Sequence, residues 1–370
     1  MKKLLKILKW IAILALSIGI MGGLLAWYLH TDISEERERR MQSSEHFVDR
    51  AFVNQERQAE SDLGMEFMQE QFFGDQQREP EGSVPVISFD PAQLQNKADP
   101  GLRTIWLGHA SVLVEIDGYR ILTDPVLSQR VSPFQFLGPK RTHQPPLPLE
   151  QWTAVDAVVI SHNHYDHLDE ATVRHLAAQG TKFFVPLGVG QYFEDWNIPS
   201  SQVVEMEWWQ SEKIGALTII ATPNRHYSSR GLLDYKATHW SSWSISGPTH
   251  KVFYSGDSGY SKLFSQIGER LGPFDLNIIK VGAYGPGQAW ADIHMTPEEA
   301  IQVHLDIGGK RMLPVHWMTF NLALHDWDEP IKRALTAAER KDVAVVTPKI
   351  GELVHAGQPF LNEFWWDEVD

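Results

Sequence analysis

The chain has no cysteine in 370 residues. That excludes disulfides, thiolate metal ligands and cysteine nucleophiles, and it leaves the redox compartment open. Any metal must then be held by histidine and carboxylate side chains. Positive charge is also scarce, with 33 Lys and Arg against 47 Asp and Glu, for a net charge of −14. Lys2, Lys3, Lys6 and Lys9 all precede the first acidic residue, so the remainder sets 29 basic against 47 acidic groups, a net −18. Such a surface repels phosphate polymers, and no nucleic-acid partner is expected. Short-period internal repeats are absent as well.

Charge is missing altogether from Trp10 to Leu29. Twenty helical residues span about 30 Å, the thickness of a bilayer core. Trp10 and Trp27-Tyr28 stand where an aromatic belt is expected. A cleaved signal peptide is the alternative, but the run exceeds an ordinary signal core and no A-x-A-like site follows it. Residues 1–30 therefore read as a single-pass transmembrane anchor. Its lysine-rich end is placed in the cytoplasm and the globular part outside, in the periplasm of a Gram-negative host. Residues 31–100 read as a charge-dense linker or arm, partly packed on the globular domain through aromatics such as Phe47, Phe52 and Phe67. Within it, residues 74–100 are rich in Pro, Gly and Gln and read as loop.

From residue 101 to 370 the pattern alternates short β-branched runs with helical stretches. Strands are predicted over 103–107, 112–116 and 120–123, the last two joined by an Asp117-Gly118 turn. Further strands are expected over 183–185, 216–221, 240–246, 252–255, 276–281 and 312–315. Helices are expected over 170–178, capped by Asp169, and near 261–270, 296–306 and 328–339. Two β-rich halves with interspersed helices predict an α+β layered sandwich, not a doubly wound parallel sheet.

What is present in abundance is histidine at one place. His162, His164, Asp166 and His167 form an HxHxDH cluster directly after the apolar run Ala157-Val158-Val159-Ile160. A strand ending in such a cluster delivers ligands to the carboxyl edge of a sheet. Imidazole and carboxylate together suit zinc or a similar divalent ion. Three further positions repeat the syntax of apolar strand followed by a candidate ligand. His226 follows 217–221, Asp257 follows 252–256, and His316 follows 312–315. Singly, each reads as a turn or hydrogen-bonding residue. Together with the cluster they point to a metal centre.

The strings Ile105-Trp106-Leu107-Gly108-His109-Ala110-Ser111, Leu122-Thr123-Asp124-Pro125, Gly138-Pro139-Lys140-Arg141, Ser161 to Asp169, Tyr254 to Tyr260 and Val315-His316-Trp317 resemble the metallo-β-lactamase superfamily. Within it, they are most similar to the N-acylphosphatidylethanolamine-hydrolysing phospholipase D family, over roughly residues 100–330. The resemblance implies an αβ/βα sandwich of two β-sheets flanked by helices, with residues 101–370 as the hydrolase domain. It implies two zinc ions, other divalent metals being compatible with such a site. His162, His164 and His226 would hold one; Asp166, His167 and His316 would hold the other; Asp257 would bridge them. A shared hydroxide would attack phosphorus and expel an alcohol, giving phosphatidic acid and N-acylethanolamine from a phospholipid substrate. A homodimer is also compatible with the family.

Around these ligands, Asp124 is a candidate acceptor for a ligand imidazole or simply a turn aspartate before proline. His294, just before the Thr296-Pro297 helix start, is expected to act on a phosphate oxygen or leaving group, so Asp166, Asp257 and His294 are the candidate catalytic residues. His109 reads as a buried hydrogen-bonded histidine. Lys140-Arg141 reads either as a lipid-phosphate contact or as a solvated pair, and Trp208, Trp209, Trp240 and Trp243 as an acyl groove or as core. Two alternatives stay open: a lactonase similar to the ascorbate-6-phosphate lactonases, and a non-catalytic metal-binding envelope protein.

Overall fold

The computed structural model describes residues 2–59, 65–153 and 155–369; residues 60–64, part of the expected arm, lie outside these. A helix does form over Lys2–Tyr28. Among the described residues, however, no helix is long and apolar enough to cross a membrane. The expected single-pass anchor is therefore overturned, and the extracytoplasmic placement built on it goes too.

The arm holds more structure than a linker pattern suggests. A helix over Glu35–Gln42 is followed by a hairpin of β1 (Phe47–Val48) and β2 (Ala51–Phe52), and a further helix spans Met65–Phe73. Asp49 and Arg50, the hairpin's central residues, both have positive φ, at 52° and 65°. That backbone suits the right-handed twist of a tight hairpin. Arg37 donates to Glu205 of the globular domain at 3.0 Å, and Phe52 is completely buried.

The globular domain is built from β3 (Leu102–Gly108), β4 (Ser111–Ile116), β5 (Tyr119–Thr123), β6 (Ala157–Val159), β7 (Lys182–Pro186), β8 (Val203–Met206), β9 (Ser211–Ile214), β10 (Leu217–Thr222), β11 (Ser242–Ser246), β12 (Lys251–Tyr254), β13 (Leu276–Lys280), β14 (Met312–Val315) and β15 (Leu353–His355). One sheet runs β15-β3-β4-β5-β6-β7-β8 and the other β14-β13-β12-β11-β10-β9. The predicted α+β layered sandwich is what forms. The Asp117-Gly118 turn has φ of 50° and 89°, the paired positive values of a tight hairpin.

Strand β4 shows why the layers stack. Val112 and Val114 enter the core between the sheets, with Ile219, Trp243 and Ile278 from the second sheet. Leu113, pointing the other way, joins Val173 and Leu176 of the helix Glu170–Ala178 on the outer face. Alternation thus feeds two apolar layers. Each fully buried side chain of this size stabilises the fold by about 1.5–3 kcal/mol. Pairing directions then set the site. Strands β3, β5 and β6 run alike, and so do β10, β12 and β14 in the second sheet. Their carboxyl ends therefore gather at one edge of the sandwich.

Candidate metal centre

Every predicted metal ligand sits in a loop leaving one of those carboxyl ends. His162, His164, Asp166 and His167 follow β6, His226 follows β10, Asp257 follows β12 and His316 follows β14. Gly256, with φ of +54°, allows the turn into Asp257; a Cβ there would lie 2.6 Å from Cβ of Ser161. The close approach brings the β12 exit against the β6 exit.

Two groups of side chains result. His162, His164 and His226 have ligand atoms near enough to share one ion, and so do His109, Asp166, His167 and His316. The His162 and His167 rings, one from each group, have centroids 4.2 Å apart. Asp257 faces both groups: its Oδ2 lies 3.2 Å from His167 Nε2, 3.1 Å from His316 Nε2 and 4.0 Å from His226 Nε2. Asp166 Oδ2 lies 3.4 Å from His316 Nε2.

The hydrogen bonds outside the cluster fix which nitrogen points inward. His226 Nδ1 donates to the carbonyl of Ile293 at 3.0 Å, and His167 Nδ1 to Asp124. Both Nε2 atoms are left buried without a hydrogen-bond partner, as are His316 Nε2 and Asp257 Oδ1. Buried unpaired polar atoms cost free energy unless something engages them. Converging imidazole nitrogens and a carboxylate oxygen are the donor set a borderline divalent cation accepts, so the residues fit such an ion.

Electrostatics divide the cluster further. Burial, with His167 and His164 alongside, holds His162 well below the usual histidine range; burial likewise depresses His226 despite the charge of Asp257. These imidazoles are neutral and ready to ligate. Burial would also depress His167, but Asp257 and Asp166 outweigh it and hold the group well above its ordinary value. Burial alone would raise Asp257, yet His316 and His167 keep it well below the carboxylate range. The charged pairs neutralise one another in a dry setting.

Asp124 is an acceptor, not a member of the inner set. Its Oδ1 takes the backbone N–H of Ser161 at 2.7 Å, and its Oδ2 takes Ser161 Oγ–H, His167 Nδ1–H and the Tyr254 hydroxyl. His109 does more than fill a buried position. Its Nε2 lies 2.9 Å from Asp166 Oδ2, and burial with His316 nearby lowers its pKa to about 3. A neutral His109 donates to Asp166 and orients that carboxylate.

His294 stands at the site with Nδ1 3.8 Å from Asp257 Oδ2. Thr296 caps the following helix Pro297–Asp306 in a full capping box with Glu299, which pins the loop carrying His294. Behind these lies Lys280 at the end of β13, completely buried, its ammonium lacking a hydrogen-bond partner among the described residues. Burial lowers its pKa to about 8, and no sequence pattern flagged it.

Other expectations resolve differently. Arg141 is buried and donates to the carbonyl of Val126, so it is neither solvated nor turned toward a lipid. Trp240 and Trp243 are wholly buried and Trp208 nearly so, and Trp243 donates to the carbonyl of Ile160. They are core. Asp169 makes no side-chain cap to its helix; it accepts from Ser128 Oγ at 2.7 Å and from Leu127 N at 3.2 Å. The apolar space lies elsewhere, in a cavity of about 610 Å³ lined by Phe67, Tyr227, Tyr235, Trp290, Ile293 and His294 among others. Asn54 of the arm was also missed. Its Nδ2 donates to the carbonyl of His226 at 2.7 Å, while its Oδ1 accepts from His226 N and from Trp240 Nε1, both at 3.1 Å.

Comparison with known proteins bears on this arrangement. The β-lactamase superfamily domain matches residues 119–317, more than half of the chain. An uncharacterised protein of Mycobacterium tuberculosis is 49% identical over 269 residues, covering 72% of each chain. The N-acyl-phosphatidylethanolamine-hydrolyzing phospholipase D 1 of Caenorhabditis elegans is 36% identical over 291 residues, 75% of this chain and 81% of that one. Among solved structures, a possible metal-dependent hydrolase from Veillonella parvula superposes with a TM-score of 0.55 at 18% identity, over 70% of this chain and 100% of that one. The last likeness concerns the fold.

Proposed function

We propose, from the premise that this chain belongs to the β-lactamase superfamily and to its N-acylphosphatidylethanolamine phospholipase D-like family, that this metal-dependent hydrolase cleaves N-acylated ethanolamine phospholipids. The observation that carries the reading is the position of His294. It lines the apolar cavity of about 610 Å³ and also stands 3.8 Å from Asp257 in the histidine cluster. A ligand with an apolar chain in that cavity would present its polar linkage to the cluster.

The assigned ligands are His162, His164 and His226 for one ion, Asp166, His167 and His316 for a second, and Asp257 between them. Two zinc ions, when bound, would supply an acidic water and neutralise charge on a phosphoryl group. The chain's own residues do the rest. Asp257, kept ionised by His316 and His167, accepts a proton from the attacking water. His294 is held neutral by burial with Lys280 nearby, so its ring donates a hydrogen bond to a phosphoryl or leaving oxygen without surrendering a proton. The aromatic walls exclude bulk water and hold the acyl chain, which fixes the phosphorus relative to Asp257. Water adds to phosphorus, the phosphorus–oxygen bond to the N-acylethanolamine breaks, and that oxygen takes up the proton.

The test is incubation of zinc-loaded protein with vesicles of N-acylphosphatidylethanolamine, and separately with a panel of lactones. Phosphatidic acid and N-acylethanolamine should appear in equal amounts, and stripping the metal should abolish both. Lactone opening without phospholipid turnover overturns the reading.

A further inference from the structure

Away from the carboxyl edge, a second set of ligand-type side chains converges under the β1–β2 hairpin. His46 comes from the arm, Glu207 from the segment just after β8, and His239 from the loop before β11. Their ligand atoms lie near enough to one another to hold a single ion. His239 Nε2 is 2.9 Å from Glu207 Oε1, and His46 Nδ1 is 3.4 Å from the same oxygen. The 3.4 Å separation matches that between neighbouring ligands around one tetrahedral cation with bonds of about 2.0–2.2 Å, and the 2.9 Å one, the length of a His239–Glu207 hydrogen bond, would open slightly on ligation. His46 is 7% exposed and His239 wholly buried. Yet His46 Nδ1 and Glu207 Oε2 are buried with no hydrogen-bond partner, in a fold that satisfies most such groups.

The surroundings prepare the three residues for ligation. The Gln55 amide lies 3.1 Å from His46 Nε2. The amide nitrogen faces the ring, so ligation requires the amide to turn its oxygen inward, where it would accept the Nε2–H and leave Nδ1 bare toward Glu207. The backbone N–H of Trp208 donates to Glu207 Oε1 at 2.7 Å and orients the carboxylate. Phe52 stacks on His239 with ring centroids 4.4 Å apart, and Trp208 packs on His46 at 4.4 Å. Aromatic walls on this scale shield the site from water.

We infer that His46, Glu207 and His239 form a structural site for one zinc-class divalent cation, separate from the catalytic cluster, that fastens the arm to the hydrolase domain. Two imidazoles and one carboxylate make a common zinc donor set, with the fourth position open to the second Glu207 oxygen or to water. The consequence reaches the active edge. Asn54 lies two residues beyond β2 and clamps both the backbone N–H and the carbonyl of His226. A cation that locks His46 and the hairpin in place thereby locks the loop that carries His226.

The test uses the full-length chain, stripped with a chelator and reloaded with zinc, with bound metal counted directly. Glu207→Gln, which keeps the shape and an acceptor oxygen, and His46→Gln on the arm should each bind one zinc fewer than the unaltered chain. Limited proteolysis supplies a second reading that does not depend on the count. In the unaltered chain, cleavage within residues 43–58 should slow about tenfold when free zinc is ten times its dissociation constant. In Glu207→Gln, zinc should leave that cleavage rate unchanged. If both variants retain the full zinc count, or if His46→Gln is still protected by zinc, the cluster is a hydrogen-bonded triad and the inference falls. Should Glu207→Gln fail to fold, the His46→Gln count and cleavage decide alone.

Discussion

His167 donates from Nδ1 to Asp124 Oδ2 at 2.6 Å, with both side chains completely shielded from solvent. That bond leaves Nε2 as the free nitrogen, facing Asp257. An Asp124→Asn change keeps an acceptor for the Ser161 N–H but can turn an amide N–H₂ toward His167. The ring would then carry its proton on Nε2, where no metal can bind. Zinc affinity should fall by about 10–100-fold, the loss expected when an outer partner of a ligand is removed. Competition with a chromophoric chelator measures it, and an unchanged affinity would show that the tautomer is set elsewhere.

The arm contributes to the site through one amide. Asn54 makes hydrogen bonds to His226 N, His226 O and Trp240 Nε1. Asn54→Ala leaves His226 N and Trp240 Nε1 without partners in a water-poor setting, at about 1–3 kcal/mol for each group left unpaired, while the His226 carbonyl keeps the Gln58 amide at 3.3 Å. Partial rescue by water brings the expected loss of stability to about 2 kcal/mol. Urea unfolding of the zinc-loaded variant checks this. The same variant should lose activity more than a surface substitution of equal stability cost, because the His226 loop is released.

Stability should also fall in mild acid for a reason that can be assigned. His143 is buried between Thr319 and the carbonyl of Gln144, and burial with Arg141 beside it lowers its pKa from 6.5 to about 3. Above pH 6.5 neither the folded nor the unfolded chain protonates this ring. Between 6.5 and about 3 only the unfolded chain takes up the proton, so stability drops as pH falls. Between pH 7 and 5 the single group contributes a loss of about 2 kcal/mol. His143→Gln should flatten the pH dependence of the urea midpoint by that amount. A slope identical to that of the unaltered chain would mean that His143 titrates in the folded state.

The cluster and its companions were legible because each ligand type sits in a short loop after an apolar strand. That local pattern survives in one dimension, and the edge at which β6, β10, β12 and β14 end collects the rest. What stayed hidden depends on long-range closure. Asn54 bonds His226 across 172 positions, and no periodicity or motif marks a lone asparagine in an arm. His109 read as an ordinary buried histidine, because its partner Asp166 lies 57 positions away. Lys280 fell inside the expected 276–281 strand with nothing to single it out, and only packing shows that its ammonium is sealed in. For the tryptophans, groove and core were equally open in one dimension; Trp208, Trp240 and Trp243 fill core, and the cavity takes Trp290 with Tyr227 and Tyr235. At the amino end, an uncharged run with aromatics at both ends was read as a membrane span, and among the described residues no helix is long and apolar enough to be one.

The cavity offers the sharpest separation of chemistry from substrate choice. Ala289 and Ile293 line it, whereas neither belongs to the histidine cluster. Replacing Ala289 with Trp adds roughly 140 Å³ of side chain to a space of about 610 Å³, which shortens the room for a chain without touching a ligand. If an acyl chain occupies this space, Ala289→Trp should reduce turnover of a long-chain N-acylphosphatidylethanolamine by at least about tenfold, roughly 1.4 kcal/mol of transition-state binding. A small water-soluble phosphodiester, which has nothing to place there, should be hydrolysed at an unchanged rate. The zinc count should match that of the unaltered chain, since the variant leaves His294 and Asp257 in position. Equal losses on both substrates would place the damage at the cluster and remove the cavity from substrate selection. No loss on either would mean that the chain is held on another face.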